Sequence, residues 1–400
     1  MAAALLSVLE ARSRVLERCV ALADEEVSVA DALGRVLAEE VRAAHDVPPF
    51  ANSAMDGFAV GSASAGQRLP VVGEARAGTP SGHPLAAATA MRISTGAALP
   101  DGAQGVIAVE NVLATEDGHV TLGVDITPGA NVRPAGDDLR ARTPVLGRGT
   151  RLGPAALGLA VSAGRARLHC ARLPRMAVIT TGDELVDPGS PLSPGQIHDS
   201  NAVVLAALGR DAGARVQLMG RTRDDPAATA AILARSADAA DVVIVCGGVS
   251  VGPHDHVKAA LRELGFTERF WRVALKPGKP VWFGDRASTL AFGLPGNPVS
   301  AMVTFLLFVV PALAARQGAD PDSSQRNALI SQPVAREPGR DQAVRVRLDQ
   351  EGATLLATPN GPQGSHQMRS MLGAQALALV PAGAGELAAG DPVTVTLIDS

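Results

Sequence analysis

The sequence predicts a multidomain α/β protein organised around a doubly wound parallel sheet. Between residues 173 and 318, short apolar runs alternate with helical patterns, and alternation of this kind implies parallel strands with helices on both faces. On either side, at 44–142 and 322–400, short β-like runs are separated by Gly, Pro and Asp turns, so smaller β units flank the sheet. The 400 residues suffice for two to four domains.

In chain order, 5–43 reads as two helices. LLSVLEARSRVLERCVAL has helical spacing, and 29–41 follows with Ser28 as a possible N-cap. FAV, LPVVG, AMRIST, GVIAVE and HVTLGVDI then read as strands of a β-rich insertion spanning 44–142. The helical pattern returns at 154–164. The helical subdomain is thus discontinuous, 1–43 with 143–172. The α/β unit, 173–321, begins with the strand MAVITTG and a helix over 200–213 with Ser200 or Asn201 near its cap. It continues with the strand ARVQLMG and a helix opened by Asp225 and Pro226, which suit N-cap and N1. DVVIVCGG, a helix at HVKAALRELG, TLAFGLPG and a long helix from Pro298 complete it. The tail, 322–400, reads as a small β-barrel or sandwich through AVRVRL, ATLLAT, ALALVP and PVTVTLI.

Composition excludes several classes. Apolar residues are 46% and charged residues 19%, unlike a disordered chain. A net charge of −4, no basic run and only eight Phe, two Trp and no Tyr argue against nucleic acid. Cys19, Cys170 and Cys246 are odd in number and lack CxxC spacing. That excludes a disulfide framework or zinc site and fits a reducing cytoplasm. The N-terminus has no basic n-region and does not read as a signal peptide. The apolar stretch 301–315, interrupted by Pro311, is shorter than the ~20 residues of a spanning helix and reads as a buried one.

The chemistry concentrates after the strands. TTGDEL, RTRDDP, GGVSVGPHD and GLPGNPVS each follow a strand, so a parallel sheet gathers them at one edge, where doubly wound folds bind ligands. Gly247, Gly248, Ser250 and Gly252 precede a helix, as do Gly293, Gly296, Asn297 and Ser300 with Pro298 at N1. Free amides and helix N-termini bind phosphate this way, although such glycines also serve purely steric needs. Asp183, Glu184, Asp224, Asp225 and Asp255 would line the same edge. Carboxylates beside phosphate require an intervening cation such as Mg²⁺, or else they cap helices, as Asp225 before Pro226 can. Lys276 and Lys279 around a Pro-Gly turn form an oxyanion site or a solvated turn. His254 and His256 flank Asp255 as possible metal ligands or solvent-facing residues. Asp56 sits on an Asp-Gly turn in PPFANSAMDGFAV. RISTG and PNGPQGSHQMRSM are hydroxyl-bearing loops that expose Ser365 and His366.

Together PPFANSAMDGFAV, GEARAG, RISTGAALP, AGDDL, TTGDEL, IHDSN, RDDP, GGVSVGPHD, KPGKP, GLPGNPVS and GSH resemble, in order and over essentially the whole chain, the MoeA family. These are molybdopterin molybdenumtransferases related to the E domain of gephyrin. TTGDEL, GGVSVG and GLPGNP also resemble the adenylyltransferase MogA; SAMDG and GSH separate the two.

The resemblance implies a MogA-like α/β domain, a discontinuous helical subdomain, a β-rich insertion and a C-terminal β-barrel. It implies an Mg²⁺-assisted transferase that inserts molybdenum from molybdate into adenylylated molybdopterin and releases AMP. Catalytic positions fall on Asp56, Thr95, Asp138, Glu184, Asp225 and Asp255, with Glu184, Asp225 and Asp255 as metal ligands. Substrate positions fall on Gly247, Gly248, Ser250, Gly252, Lys276, Lys279, Pro295, Gly296, Asn297, Pro298, Arg340, Arg345 and Ser365, with Lys276, Lys279, Arg340, Arg345 and Ser365 around molybdate. A cytoplasmic homodimer is implied, with the α/β domain of one subunit facing the insertion of the other. So is possible contact with the adenylyltransferase, without nucleic acid or membrane. Ala51, Phe58, Pro253-His254 and His256 depart from the family pattern. An adenylyltransferase would instead use ATP and unadenylylated molybdopterin, and a peptide-binding scaffold would need no carboxylate site.

Overall fold

A computed structural model describes residues 5–249 and 256–398. Ser250, Gly252 and Asp255, with Pro253 and His254, lie outside the described residues.

The central sheet has the order Arg215–Thr222, Arg175–Thr181, Val242–Cys246, Thr289–Leu294, Trp282–Arg286, Thr267–Trp271. The first four strands pair in parallel, and the last two join through antiparallel pairings, Trp282–Arg286 alone running against the rest. Simple alternation did not predict those two. Charged residues at Glu268, Arg269, Asp285 and Arg286 hide their pattern, although Trp282, Phe283 and Phe270 are buried. Exposed Thr267 and Glu268 also suit the outermost strand, where charge such as that of Glu268 discourages pairing with another chain.

Side-chain alternation divides the strands between two cores. Met176 and Val178 pack with Leu205, Phe305 and Leu313 on one face; Ala177 and Ile179 pack with Leu233 and Leu261 on the other. Helices cover both faces. Asp225 caps the helix Pro226–Ala239, its Oδ1 accepting from the Ala228 amide at 2.7 Å. Asp199, not Ser200 or Asn201, caps Ser200–Asp211.

The long helical run extends over Pro298–Arg316, 19 residues, somewhat beyond the apolar stretch 301–315. It is long and apolar enough to cross a membrane by length and composition alone, but 78% of its apolar window is buried inside the protein. Its middle, Phe305–Val309, is a π-helix. Pro311 has no amide, and its ring would crowd the carbonyl four residues back. The wider turn before it relieves that conflict.

The first helix is Val8–Leu16, shorter than its apolar pattern, and Ser7 and Glu10 close a capping box at its start. Its buried face, Val8, Ala11 and Val15, joins the core of the α/β unit. The helix expected over 29–41 is not formed. A single 3₁₀ turn, Val29–Asp31, is followed by irregular chain with Gly34 at φ 74°. The backbone of this stretch pairs instead with 150–169: the amides of Gly34, Leu37 and Ala38 donate to the carbonyls of Leu152, Thr150 and His169. Tertiary partners therefore outweighed local helical spacing. Pro154–Ser162 is helical as expected, and Asp24–Ser28 pairs with Arg167–Ala171.

Within 44–142 a six-stranded sheet has the order Gly105–Ala108, Gly57–Val60, Ala90–Ile93, Arg68–Ala75, His119–Leu122, Val112–Glu116. Phe58 and Val60 face one small core, while Ala59 faces another with Met91 and Val106. At the C-terminal end, Asp341–Glu351, Thr354–Pro359, Gln325–Ile330, Pro392–Leu397 and Ala376–Val380 pair in succession. The last returns to Asp341–Glu351 and closes a five-stranded barrel. Leu275–Lys276 adds to this barrel as a parallel strand, which locks the lysine turn against it.

Candidate functional site

Strand order reverses between Arg175–Thr181 and Val242–Cys246, and their carboxyl ends open on a cleft of about 580 Å³. The cleft is lined by Thr181, Glu184, Gly247, Gly248 and Asn297, with His366 arriving from the C-terminal region. Pro295, Gly296 and Pro298 line it too, so this part of the predicted substrate set is brought together.

The two glycine loops touch. A Cβ on Gly296 would stand 3.9 Å from the Cα of Gly247. Gly247 has φ 96°, and a Cβ there would meet the Thr181 carbonyl and hydroxyl at 2.7 Å. Only glycine fits at that distance. The Gly247 amide donates to the Leu294 carbonyl at 3.0 Å. The amides of Gly248, Gly296 and Asn297 make no hydrogen bond to another described residue, which leaves three donors for an anion. The Thr181 hydroxyl is buried and unpartnered at the same wall.

Several supporting residues were not singled out individually from the sequence. Thr180 Oγ1 donates to Asp199 Oδ2 at 2.6 Å, and Asn201 Nδ2 donates to the Gly296 carbonyl at 2.7 Å. Both acceptor and donor come from the segment IHDSN, where an Asp before a helical run signals an N-cap. Cys246 Sγ donates to the Pro295 carbonyl at 3.2 Å; burial pushes this thiol up to about 12, so it packs as a neutral group.

The carboxylates divide. Glu184 is exposed at the cleft. Asp225 lines an adjoining open groove with Asp183, Arg221, Arg223 and Asp224, and one of its oxygens is used for capping. Both readings of Asp225 thus remain compatible, because its second oxygen is not used in the cap. Among the described residues no group of three or more His, Cys, Asp or Glu has the arrangement of a metal site. Asp255, the third expected ligand, lies outside the described residues.

The lysine turn borders two cavities. Pro280 lines the cleft, while Lys276 lines a second groove of about 520 Å³ with Gln342, Gln363 and Gly364. The segment 363–366 runs between them: Gly364 lines the groove, His366 lines the cleft, and Ser365 Oγ accepts from Asn297 Nδ2 at 3.1 Å. Lys279 is exposed and has no ion-pair partner among the described residues. Arg345 is fully buried. Its Nη2 donates to the Pro362 carbonyl at 2.8 Å, while Nε and Nη1 have no partner. Burial without a counter-ion pulls its pKa down, and Arg345 lines neither the cleft nor the groove. Arg340 pairs with Glu337 at 2.8 Å.

Asp56, Thr95 and Asp138 lie elsewhere. Asp56 Oδ1 accepts from the Thr95 amide at 2.7 Å. The Asp138 amide donates to Val47, at the start of the segment that carries Asp56. The fold thus brings Asp56 and Thr95 together, while Asp138 is tied through its backbone to Val47; both carboxylates are exposed. None of these three lines the α/β cleft.

Comparison with known proteins covers nearly the whole chain. The MoeA N-terminal region (domain I and II) matches residues 6–164, a probable molybdopterin binding domain matches 177–315, and the MoeA C-terminal region (domain IV) matches 327–398. Molybdopterin molybdenumtransferase 2 of Mycobacterium tuberculosis is 39% identical over 97% of this chain and 98% of its own length. Molybdopterin molybdenumtransferase of Haemophilus influenzae is 35% identical over 98% of each. Gephyrin of Dictyostelium discoideum is 30% identical over 97% of this chain and 62% of its own. A solved molybdopterin biosynthesis MoeA protein from Pyrococcus horikoshii superposes with a TM-score of 0.83 at 31% identity, covering 99% of this chain and 100% of that one. Similarity of this extent, across all three regions and nearly the whole chain, establishes that the chain belongs to the MoeA family of molybdopterin molybdenumtransferases.

Proposed function

We propose that this protein transfers molybdenum from molybdate to molybdopterin, taking the adenylylated pterin and releasing AMP. One observation carries the reading: an anion-binding cleft of touching glycine loops is joined, through the Asn297–Ser365 hydrogen bond and the neighbouring Gly364, to a groove that Lys276 lines. A phosphorylated pterin and a tetrahedral oxyanion require these two adjoining sites. The free amides of Gly248, Gly296 and Asn297 hold phosphate oxygens, and the exposed cleft wall admits the pterin. Lys276, Lys279, Arg340, Arg345 and Ser365 supply charge and a hydroxyl to the oxyanion.

Glu184 and the second oxygen of Asp225 offer hard oxygen donors of the kind Mg²⁺ takes, and Asp255 is the third member of this set. Mg²⁺ there would offset charge on the phosphate oxygens. Asp56 and Asp138 act from the partner subunit of a homodimer, which completes each cleft. The protein works in the cytoplasm, receiving its substrate from the adenylyltransferase. The test is AMP release from adenylylated molybdopterin. Release that depends on molybdate supports the reading; release indifferent to molybdate, or a requirement for ATP, rejects it.

A further inference from the structure

Lys276, at its groove, is already paired with an anion of the protein's own. Glu337 Oε1 accepts from Lys276 Nζ at 2.6 Å. Its Oε2 is buried and faces Arg340 Nη2 at 2.8 Å, in an ion pair without the alignment of a hydrogen bond. One carboxylate thus spans the two cations assigned above to the oxyanion. The arrangement is built from several directions. The turn Glu337-Pro338-Gly339-Arg340, with Gly339 at φ 74°, folds Arg340 back onto Glu337. Lys276 is held beside this turn by strand pairing with Gln342. The Glu337 backbone is itself fixed, its carbonyl accepting from the Gly383 amide at 3.1 Å. The side chain alone is left to move.

We propose that Glu337 is an internal counter-anion of the oxyanion site: its carboxylate occupies Lys276 and Arg340 until molybdate displaces it. The inference rests on the reading of those cations as molybdate groups. Lys276, then the charge of Arg340, holds the Glu337 carboxyl below its usual range, so the counter-anion stays ionised at neutral pH. Its role is selective. A dianion carries twice the charge of the carboxylate it replaces and wins both cations, whereas a monoanion such as nitrate or chloride gains little by the exchange.

The test is equilibrium dialysis of radiolabelled molybdate against the purified full-length protein, with nitrate as competitor. Partly exposed ion pairs are worth up to about 1 kcal/mol, so Glu337→Gln should tighten molybdate binding roughly 2- to 5-fold and make it newly sensitive to nitrate. Glu337→Ser should do the same, which guards against a peculiarity of one side chain. Unchanged or weakened molybdate affinity in both variants, with Lys276→Ala also weakened, overturns the counter-anion and leaves the site standing. Unchanged affinity in Lys276→Ala overturns the site reading, and the counter-anion with it.

Discussion

Asn297 Nδ2 donates to Ser365 Oγ at 3.1 Å across 68 positions of sequence, and the Val299 amide donates to the Ser365 carbonyl at 3.2 Å beside it. The first turn of the long core helix is thereby tied to a loop of the C-terminal region. His366 on one side of that tie lines the cleft, and Gly364 on the other lines the lysine-bearing groove.

Glu184 is the exposed carboxylate of the cleft. Glu184→Gln should lower turnover by about 10²-fold, as for loss of a key electrostatic contact. Excess EDTA should abolish AMP release in the wild type and Mg²⁺ should restore it. Full turnover in EDTA would remove the cation from the reading.

Lys279 is exposed with no ion-pair partner among the described residues, so its charge is available to a ligand. Lys279→Ala should raise the molybdate concentration needed for half-maximal rate by roughly tenfold, with a smaller change in pterin affinity. Steady-state titration of each substrate separates the two. Equal losses for both would contradict the assignment.

Asp56 stands with Thr95 in the β-rich insertion, away from the Glu184 cleft. If each site takes one half from each subunit, mixing inactive Asp56→Ala and Glu184→Gln proteins gives dimers with one doubly damaged and one intact site. Half the dimers are mixed and half their sites intact, so activity should return to roughly a quarter of wild type. Proven subunit exchange without recovery would place both residues in a single-chain site.

Asp241 anchors the start of the α/β unit. Its buried carboxylate accepts from Arg172 at 2.7 and 2.8 Å and from the Arg175 amide at 2.9 Å. Burial raises its pKa, but the Arg172 and Arg175 hydrogen bonds outweigh this and hold the carboxyl well below the usual range. A depressed folded-state value stabilises above the unfolded value of about 4, and that contribution is lost as pH falls toward the folded one. Asp241→Asn should cost roughly 2–3 kcal/mol at pH 7. The gap to wild type in urea unfolding should narrow by about 1 kcal/mol per pH unit below pH 4. A gap that widens on acidification would reverse the sign of this linkage.

Gly57 follows Asp56 where two strands nearly touch: a Cβ there would lie 1.9 Å from the Ile107 carbonyl oxygen. Gly57→Ala must push strand backbone apart and should destabilise the insertion by roughly 3 kcal/mol or more. Thermal unfolding of the variant measures this. A midpoint within a degree of wild type would show that the strands yield freely.

Local chemistry in the sequence determined much of this protein. Apolar runs ending in Gly-rich turns marked the parallel strands, because a fully buried strand needs near-continuous apolar residues and its exit needs positive φ. Asp225 before Pro226 marked a helix start for the same kind of local reason. The order of the motifs further identified their family. Tertiary structure decided the rest. The segment 29–41 has helical spacing, yet its amides found carbonyls at 150–169, a partner that no local pattern displays. The strands Thr267–Trp271 and Trp282–Arg286 were hidden because charged Glu268, Arg269, Asp285 and Arg286 interrupt their apolar pattern. The sequence placed Lys276 beside Lys279, but only strand pairing with Gln342 set Lys276 in a groove facing Glu337. Ion pairs between residues 61 apart depend on how the chain returns, and that is fixed by packing rather than by any neighbour in sequence.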